Sequence, residues 1–289
     1  MISVIVPFYN AESTLSSLLS ALQRQTLPHS EFEVILINNN STDDGPKIVT
    51  KFIDASLQLN IKLLHYLDKA SSYAARNFGV RHAKGEILAF TDADCIPEPG
   101  WLEEIKSFFP KRINSILSGH IDLKIVDRKN IWEAFDKVAH MNNERKAAQS
   151  CVATANMAVR KIDFMKVGYF LEVTSGADYG WSQSAQSVGL TVEFIRQAVV
   201  IHPTRKTKSE ITQKLFRIAT GQAEISSKNS RAILTSTLVY GLRILFPIRL
   251  FRYTYGVYKY AGLSLSLKFL WEYFEISLKQ VVVFSKKIN

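Results

Sequence analysis

Cysteine is scarce, with only Cys95 and Cys151 in 289 residues. Two thiols without CxxC-type spacing exclude a disulfide framework and a structural zinc site, so both read as buried small side chains. Glycine-rich phosphate loops are also missing: neither GxxxxGK[ST] nor GxGxxG occurs, so a bound phosphate has to be held by a metal or by cationic side chains. GxSxG is absent, which removes the nucleophile elbow of the Ser-His-Asp hydrolases. Internal repeats and low-complexity tracts are missing too. Long apolar runs are equally lacking. The opening "MISVIVPFYN" is too short and has no charged leader, so it reads as a chain that starts folding at residue 2 and stays in the cytosol.

What the chain does have is globular composition. With 47% hydrophobic residues it can bury one large core or two modest ones. The net charge of +10 is unevenly placed: residues 205–289 carry 15 Lys and Arg against 4 Asp and Glu, whereas residues 1–204 carry 21 against 22. A basic tail on a neutral body expects one acidic contact, either nucleic acid or anionic lipid.

The N-terminal half alternates two periods. The β-branched run "ISVIV" precedes "STLSSLLSALQRQ", which sets Leu15, Leu18, Leu19 and Leu22 on one helical face. "FEVILIN", a helix opening near "STDDGPKIV", "IKLLHYL", a helix over "SSYAARNFGVRHA" and "EILAFTD" continue it. The pattern β-α-β-α-β-α-β predicts a parallel sheet covered on both faces, with ligands outside the strands' carboxyl ends. Beyond residue 110 regularity fades. "NIWEAFDKVAHMNNERKAA" predicts one helix, "VATANMAVRK" a loop into a strand, "SGADYGWSQSAQSVGL" a turn and helix, and "TVEFIRQAVVIHPTR" a closing strand-like stretch.

Polar residues gather at the predicted carboxyl ends: Tyr9 and Asn10, Asn38 to Asn40, and Asp92 and Asp94. Polar strand-to-helix loops and a helix cap account for Ser41, Thr42 and Asp43. They do not account for Asp92-Ala93-Asp94, two carboxylates that end an apolar strand before a Pro-rich turn. Carboxylates are rarely fully buried without a partner, and that partner is a metal, a base or only solvent.

In order along the chain, "SVIVPFYNAESTL", "ILINNNSTDDG", "SYAARNFGVRHAKGEILAFTDADCIPEPGWL", "TANMAVRKIDFMKVGYF", "SGADYGWSQSAQSVG" and "VVIHPTR" resemble glycosyltransferase family 2, inverting enzymes of the GT-A fold. The resemblance covers about residues 2–204. It implies an α/β, Rossmann-like, mostly parallel sheet flanked by helices, a catalytic domain over 1–204 and a basic amphipathic helical extension over 205–289.

The resemblance also implies roles. Asp94 would hold Mn²⁺ or Mg²⁺, Asp92 and Ala93 would lie on the donor, and His202 in "VIHP" would close on the metal. Pro7 and Tyr9 would line the nucleobase, Arg76 would reach base or diphosphate as a fixed cation, and Asn77 would brace its loop. Asp178 would be the single general base an inverting transfer needs, with helix capping as its rival role. Trp181 would form an acceptor-side wall or pack in the core. Two positions depart from the pattern. Asn38 stands where many relatives have Asp, which opens the question of base preference, and Ala177 precedes the base where Glu is frequent.

From Ser209 onward the sequence is helical and cationic. The uncharged run Ala232 to Leu242 is shorter than the ~20 residues of a spanning helix. Leu267, Leu270, Trp271, Phe274, Leu278 and Val281 recur at helical spacing, and with Arg243, Arg249, Arg252 and Lys259 they fit helices lying on an anionic leaflet. The same face would otherwise pack on the catalytic body or on a second copy as a homo-oligomer. Nucleic acid fits less well, because the aromatics accompany aliphatic runs.

These readings expect a metal-dependent inverting enzyme that moves sugar from a nucleotide-diphosphate donor to a glycan or lipid-linked acceptor at the inner membrane face. A sugar-phosphate nucleotidyltransferase would want a Gly-rich, Arg/Lys-bearing loop where "PFYNAES" stands. A non-catalytic membrane-docked binding module is the third reading, suggested by Asn38 and Ala177.

Overall fold

The computed structural model describes residues 1–56, 58–226 and 248–288. Its first seven elements follow the alternating pattern: β1 (Ile2–Phe8), α1 (Glu12–Gln23), β2 (Phe32–Asn38), α2 (Gly45–Ala55), β3 (Ile61–His65), α3 (Ser72–His82) and β4 (Ile87–Thr91). β1 pairs in parallel with β2 and β4, and β2 in parallel with β3. Both β1 and β2 are buried along their whole length, as strands covered on two faces should be. Gly79 lets α3 lie close on them, because a Cβ there would meet Ile5 and Ile37 at 2.8 Å.

The second half of the eight-stranded sheet, ordered β3-β2-β1-β4-β7-β6-β8-β5, is antiparallel where its pairing is defined. Its strands are β5 (Ile96–Pro97), β6 (Ser115–Lys124), β7 (Asn156–Arg160) and β8 (Thr191–Pro203). The helices there are α4 (Trp101–Phe108), α5 (Ile131–Ala139), α6 (Asn143–Ala147), α7 (Lys161–Val167) and α8 (Ala177–Ser187). The single helix expected over 130–148 is two. Met141 takes a left-handed φ of 55° and breaks the ladder, and Asn142 caps the new start by accepting from Arg145 N at 2.8 Å.

Buried Asn156 knits this half together. Its Oδ1 accepts from Trp101 Nε1 at 2.9 Å, and its Nδ2 donates to His120 O and Ala198 O at 2.8 and 2.9 Å. Gly119 is required beside it, since a Cβ would come within 2.3 Å of the Asn156 amide.

The chain divides into two compact units: Met1–Asp122, Asn142–Glu172 and Ala177–His202 form one, and Leu123–Met141, Val173–Gly176 and Pro203–Asn289 the other. A single cut at 204 therefore differs from this division mainly in where it puts α5. The second unit is helical, with α5 packed among α9 (Lys208–Ser226), α10 (Ile248–Ala261) and α11 (Leu263–Ile288). Its core joins Trp132 and Phe135 to Ile211, Leu215, Val257, Phe269 and Ile276. Buried Asp136 gathers charge there, bonding His140 Nδ1 at 2.8 Å, Lys214 Nζ at 2.9 Å and Arg205 through both backbone N and Nη1. Among the described residues no helix is long and apolar enough to cross a membrane. The run 232–242, Arg243 and the side chain of Arg249 lie outside the described residues.

Candidate active site

The loops at the carboxyl ends of β1, β2 and β3 are stitched to one another. Asn10 N donates to Ser41 Oγ at 3.0 Å, Thr42 N to Asn10 Oδ1 at 2.8 Å, and Glu12 N to Asp43 Oδ2 at 2.8 Å. Ser41, Thr42 and Asp43 thus hold the first loop to the second rather than only starting a helix. Asn39 ties the second loop onward, donating to Tyr66 O and Lys69 O.

On this frame Pro7 is buried in β1 beside Ile37, while Tyr9 is 62% exposed. Asn38 is buried and its amide is already engaged: Oδ1 accepts from Ser41 N at 3.0 Å and Nδ2 lies 3.1 Å from His65 Nδ1.

β4 ends in fully buried Thr91, and the turn Asp92-Ala93-Asp94-Cys95 closes with Cys95 N donating to Asp92 O at 3.1 Å. β5 then pairs antiparallel with β8, Ile96 opposite Ile201, which carries His202 to the same turn. His202 Nε2 lies 3.6 Å from Asp94 Oδ2, and ligand atoms of Asp92, Asp94, Cys95 and His202 fall within 4.8 Å of one another. Donors around a divalent cation at ~2.1 Å are separated by ~3 Å when adjacent and ~4 Å when opposite, so the Asp94–His202 pair has a fitting span. Burial, reinforced by the charges of Asp92 and Asp94, pushes the Cys95 thiol well up. Asp94 and His202 offer carboxylate oxygen and imidazole nitrogen, which suit Mn²⁺ or Mg²⁺ better than a thiophilic ion.

α3 lies behind this turn, with Ser71 capping it by accepting from Ala74 N. Tyr73, Arg76 and Asn77, at i, i+3 and i+4, share one face of it. Arg76 is buried and its guanidinium bonds Asp92, so the cation expected at the base or diphosphate stands first against a carboxylate. Its Nε is a buried donor with no partner. Asn77 exchanges two hydrogen bonds with the backbone of Phe170, 2.9 and 3.0 Å. Tyr73 Oη donates to Asp178 Oδ1 at 3.1 Å, and Arg76 lies over the Tyr73 ring at 5.4 Å. α3 therefore connects the Asp-Ala-Asp turn to Asp178.

Asp178 is the second residue of α8, half-buried inside the first turn, and so is not the residue that caps it. Trp181 does not form a wall for an acceptor. It is buried, stacks on Phe164 at 5.2 Å, and donates from Nε1 to Gly168 O at 2.7 Å, which fixes the helix that carries Asp178. The residues that sequence reasoning passed over are Tyr73 and Asn156. Tyr73 lay inside the quoted "SYAARN", but its partner is 105 residues away.

Residues 3–167 match Glycosyl transferase family 2. Glycosyltransferase AglE of Haloferax volcanii is 31% identical over 226 residues, spanning 78% of this chain and 73% of that protein. Poly(ribitol-phosphate) beta-N-acetylglucosaminyltransferase TarS of Staphylococcus aureus is 32% identical over 136 residues, 47% of this chain and only 23% of its own length. Mannosyltransferase PcManGT of Pyrobaculum calidifontis, solved with GDP-Man and Mn²⁺, superposes with a TM-score of 0.64 over 99% of this chain and 86% of that one. At 17% identity that likeness speaks for the fold, which is GT-A.

Proposed function

The chain belongs to glycosyl transferase family 2, and from that membership we propose a metal-dependent inverting glycosyltransferase. It moves one sugar from a nucleotide-diphosphate donor to a hydroxyl of a glycan or lipid-linked acceptor in cell-surface polysaccharide synthesis, at the inner face of the membrane. The observation that carries this reading is the meeting of Asp94 and His202 on a turn joined through α3 to Asp178. That the PcManGT complex holds GDP-Man and Mn²⁺ supports the same donor class.

Asp94 and His202 would hold the divalent cation, with Asp92 beside them. When bound, such a cation neutralises the charge that gathers on a leaving diphosphate. Arg76 orients Asp92 through their ion pair, and its unpartnered Nε can donate to the nucleotide-sugar. Pro7, Tyr9 and Ala93 shape the nucleoside end. Asn38, with its amide engaged by Ser41 and His65, acts on the base by holding the loop. Asp178 takes the proton of the acceptor hydroxyl as that oxygen attacks the anomeric carbon opposite the diphosphate, in one displacement without a covalent intermediate.

Two variants test this. Asp94→Ala is expected to abolish both the thermal stabilisation given by nucleotide-sugar with Mn²⁺ and the transfer reaction. Asp178→Asn is expected to keep the stabilisation while kcat falls by about 10²–10⁴. If no nucleotide-sugar raises the melting temperature with Mn²⁺, or Asp178→Asn turns over normally, the assignment is wrong.

A further inference from the structure

α11 carries two apolar stripes. The inner one, Phe269, Tyr273 and Ile276, packs into the helical core against Phe135 and Trp132. The outer one, Leu263, Leu267, Trp271, Leu278 and Val282, advances by four or seven residues and so follows one helix face; all five are exposed. The apolar face read from sequence thus divides, and the half that includes Trp271 has no protein against it among the described residues. α10 repeats the arrangement, with Phe251, Tyr255 and Tyr258 exposed on one face and Lys259 Nζ over the Tyr255 ring at 4.9 Å.

The chemistry around these stripes is cationic. Residues 248–288 hold seven Lys and Arg against two Glu, and both Glu are occupied: Glu272 by Lys208 and Lys268, Glu275 by Lys208 and Lys279. Exposed leucines and a tryptophan on a segment where Lys and Arg outnumber Glu seven to two suit an interface of acyl chains beneath anionic headgroups, where aromatic rings and lysine stems both have a place.

We propose that the outer face of α11, centred on Trp271 and flanked by that of α10, is the surface by which the protein lies on an anionic bilayer. This rests on the functional reading above and names its membrane contact. Sugar transfer to a lipid-linked acceptor would then take place on an enzyme already held at the acceptor's own surface.

Trp271 is its own probe. It is 74% exposed, whereas Trp101, Trp132 and Trp181 are 0%, 8% and 3% exposed. Adding vesicles of phosphatidylglycerol and phosphatidylcholine to the full chain should blue-shift its emission, and brominated lipid should quench it. The response should weaken in pure phosphatidylcholine and at high salt, and vanish in Trp271→Phe. Leu267→Ser with Leu278→Ser should lose most of it while keeping the urea midpoint and transfer to a soluble acceptor. No response to anionic vesicles overturns the proposal. So does a blue shift without vesicles that grows with protein concentration, which would make the face a contact between two copies. Asp94→Ala separates the two readings: it should lose transfer and keep the vesicle response.

Discussion

The hydroxyl of Tyr73 is the one described side-chain donor on Asp178, and burial with the nearby Asp178 charge holds that phenol far above its ordinary titration range. It is therefore a donor at every working pH. Tyr73→Phe keeps the ring against Phe170, 5.7 Å between centroids, and removes only the hydrogen bond. We expect kcat to fall about tenfold, worth ~1.4 kcal/mol, with donor KM unchanged. An equal change in both constants, or none, would mean that Tyr73 only packs. At this scale the sequence was informative where chemistry is local. Asp92 and Asp94 stand out because two carboxylates end an apolar run, and Asp178 and His202 because the ordered motifs select them. The partners were not legible. Arg76 meets Asp92 across 16 residues and Tyr73 meets Asp178 across 105, and no period or spacing encodes such contacts.

Among the elements, α5 shows what a helix costs when its buried face includes charge. Asp136 is held well below the usual carboxylate range despite burial, because His140, Lys214 and Arg205 surround it. Burial, with the Lys214 charge, takes His140 down to about 4, and burial takes Lys214 down to about 7 against the pull of Asp136. All three groups bind fewer protons folded than unfolded, so each makes stability rise with pH across its own window. For His140 that window runs from about 4 folded to ~6.5 unfolded, and acidification through it should cost about 2–3 kcal/mol. The urea midpoint should climb from pH 4 to 6.5 in the parent protein and climb less in His140→Gln; identical slopes would contradict the assignment. Elements were legible in proportion to their periodicity. The first seven came from alternation alone. β6 was missed because Gly119, present to admit Asn156, interrupts its pattern, and the helix over 130–148 was overextended because a lone left-handed Met141 leaves no periodic trace.

At the scale of the molecule, charge and core divide the chain differently. The charge asymmetry changes near 204, and the motifs end there too, so a cut at that point is what sequence can supply. The hydrophobic partners of α5 come from α9, α10 and α11, which follow it by 70 residues and more, and only the folded chain places α5 with them. A fragment of residues 1–204 would keep Ile131, Trp132 and Phe135 but lose Ile211, Leu215, Val257, Phe269 and Ile276. It would also strip Asp136 of Arg205 and Lys214, and a buried carboxylate losing its cations costs about 3–5 kcal/mol. The exposed aromatics should make the fragment aggregate and bind a hydrophobic dye, with Trp132 emission moved to the red. A soluble, monodisperse 1–204 fragment with unshifted Trp132 emission would show instead that α5 needs none of the C-terminal helices, and that the motif boundary at 204 is the physical one.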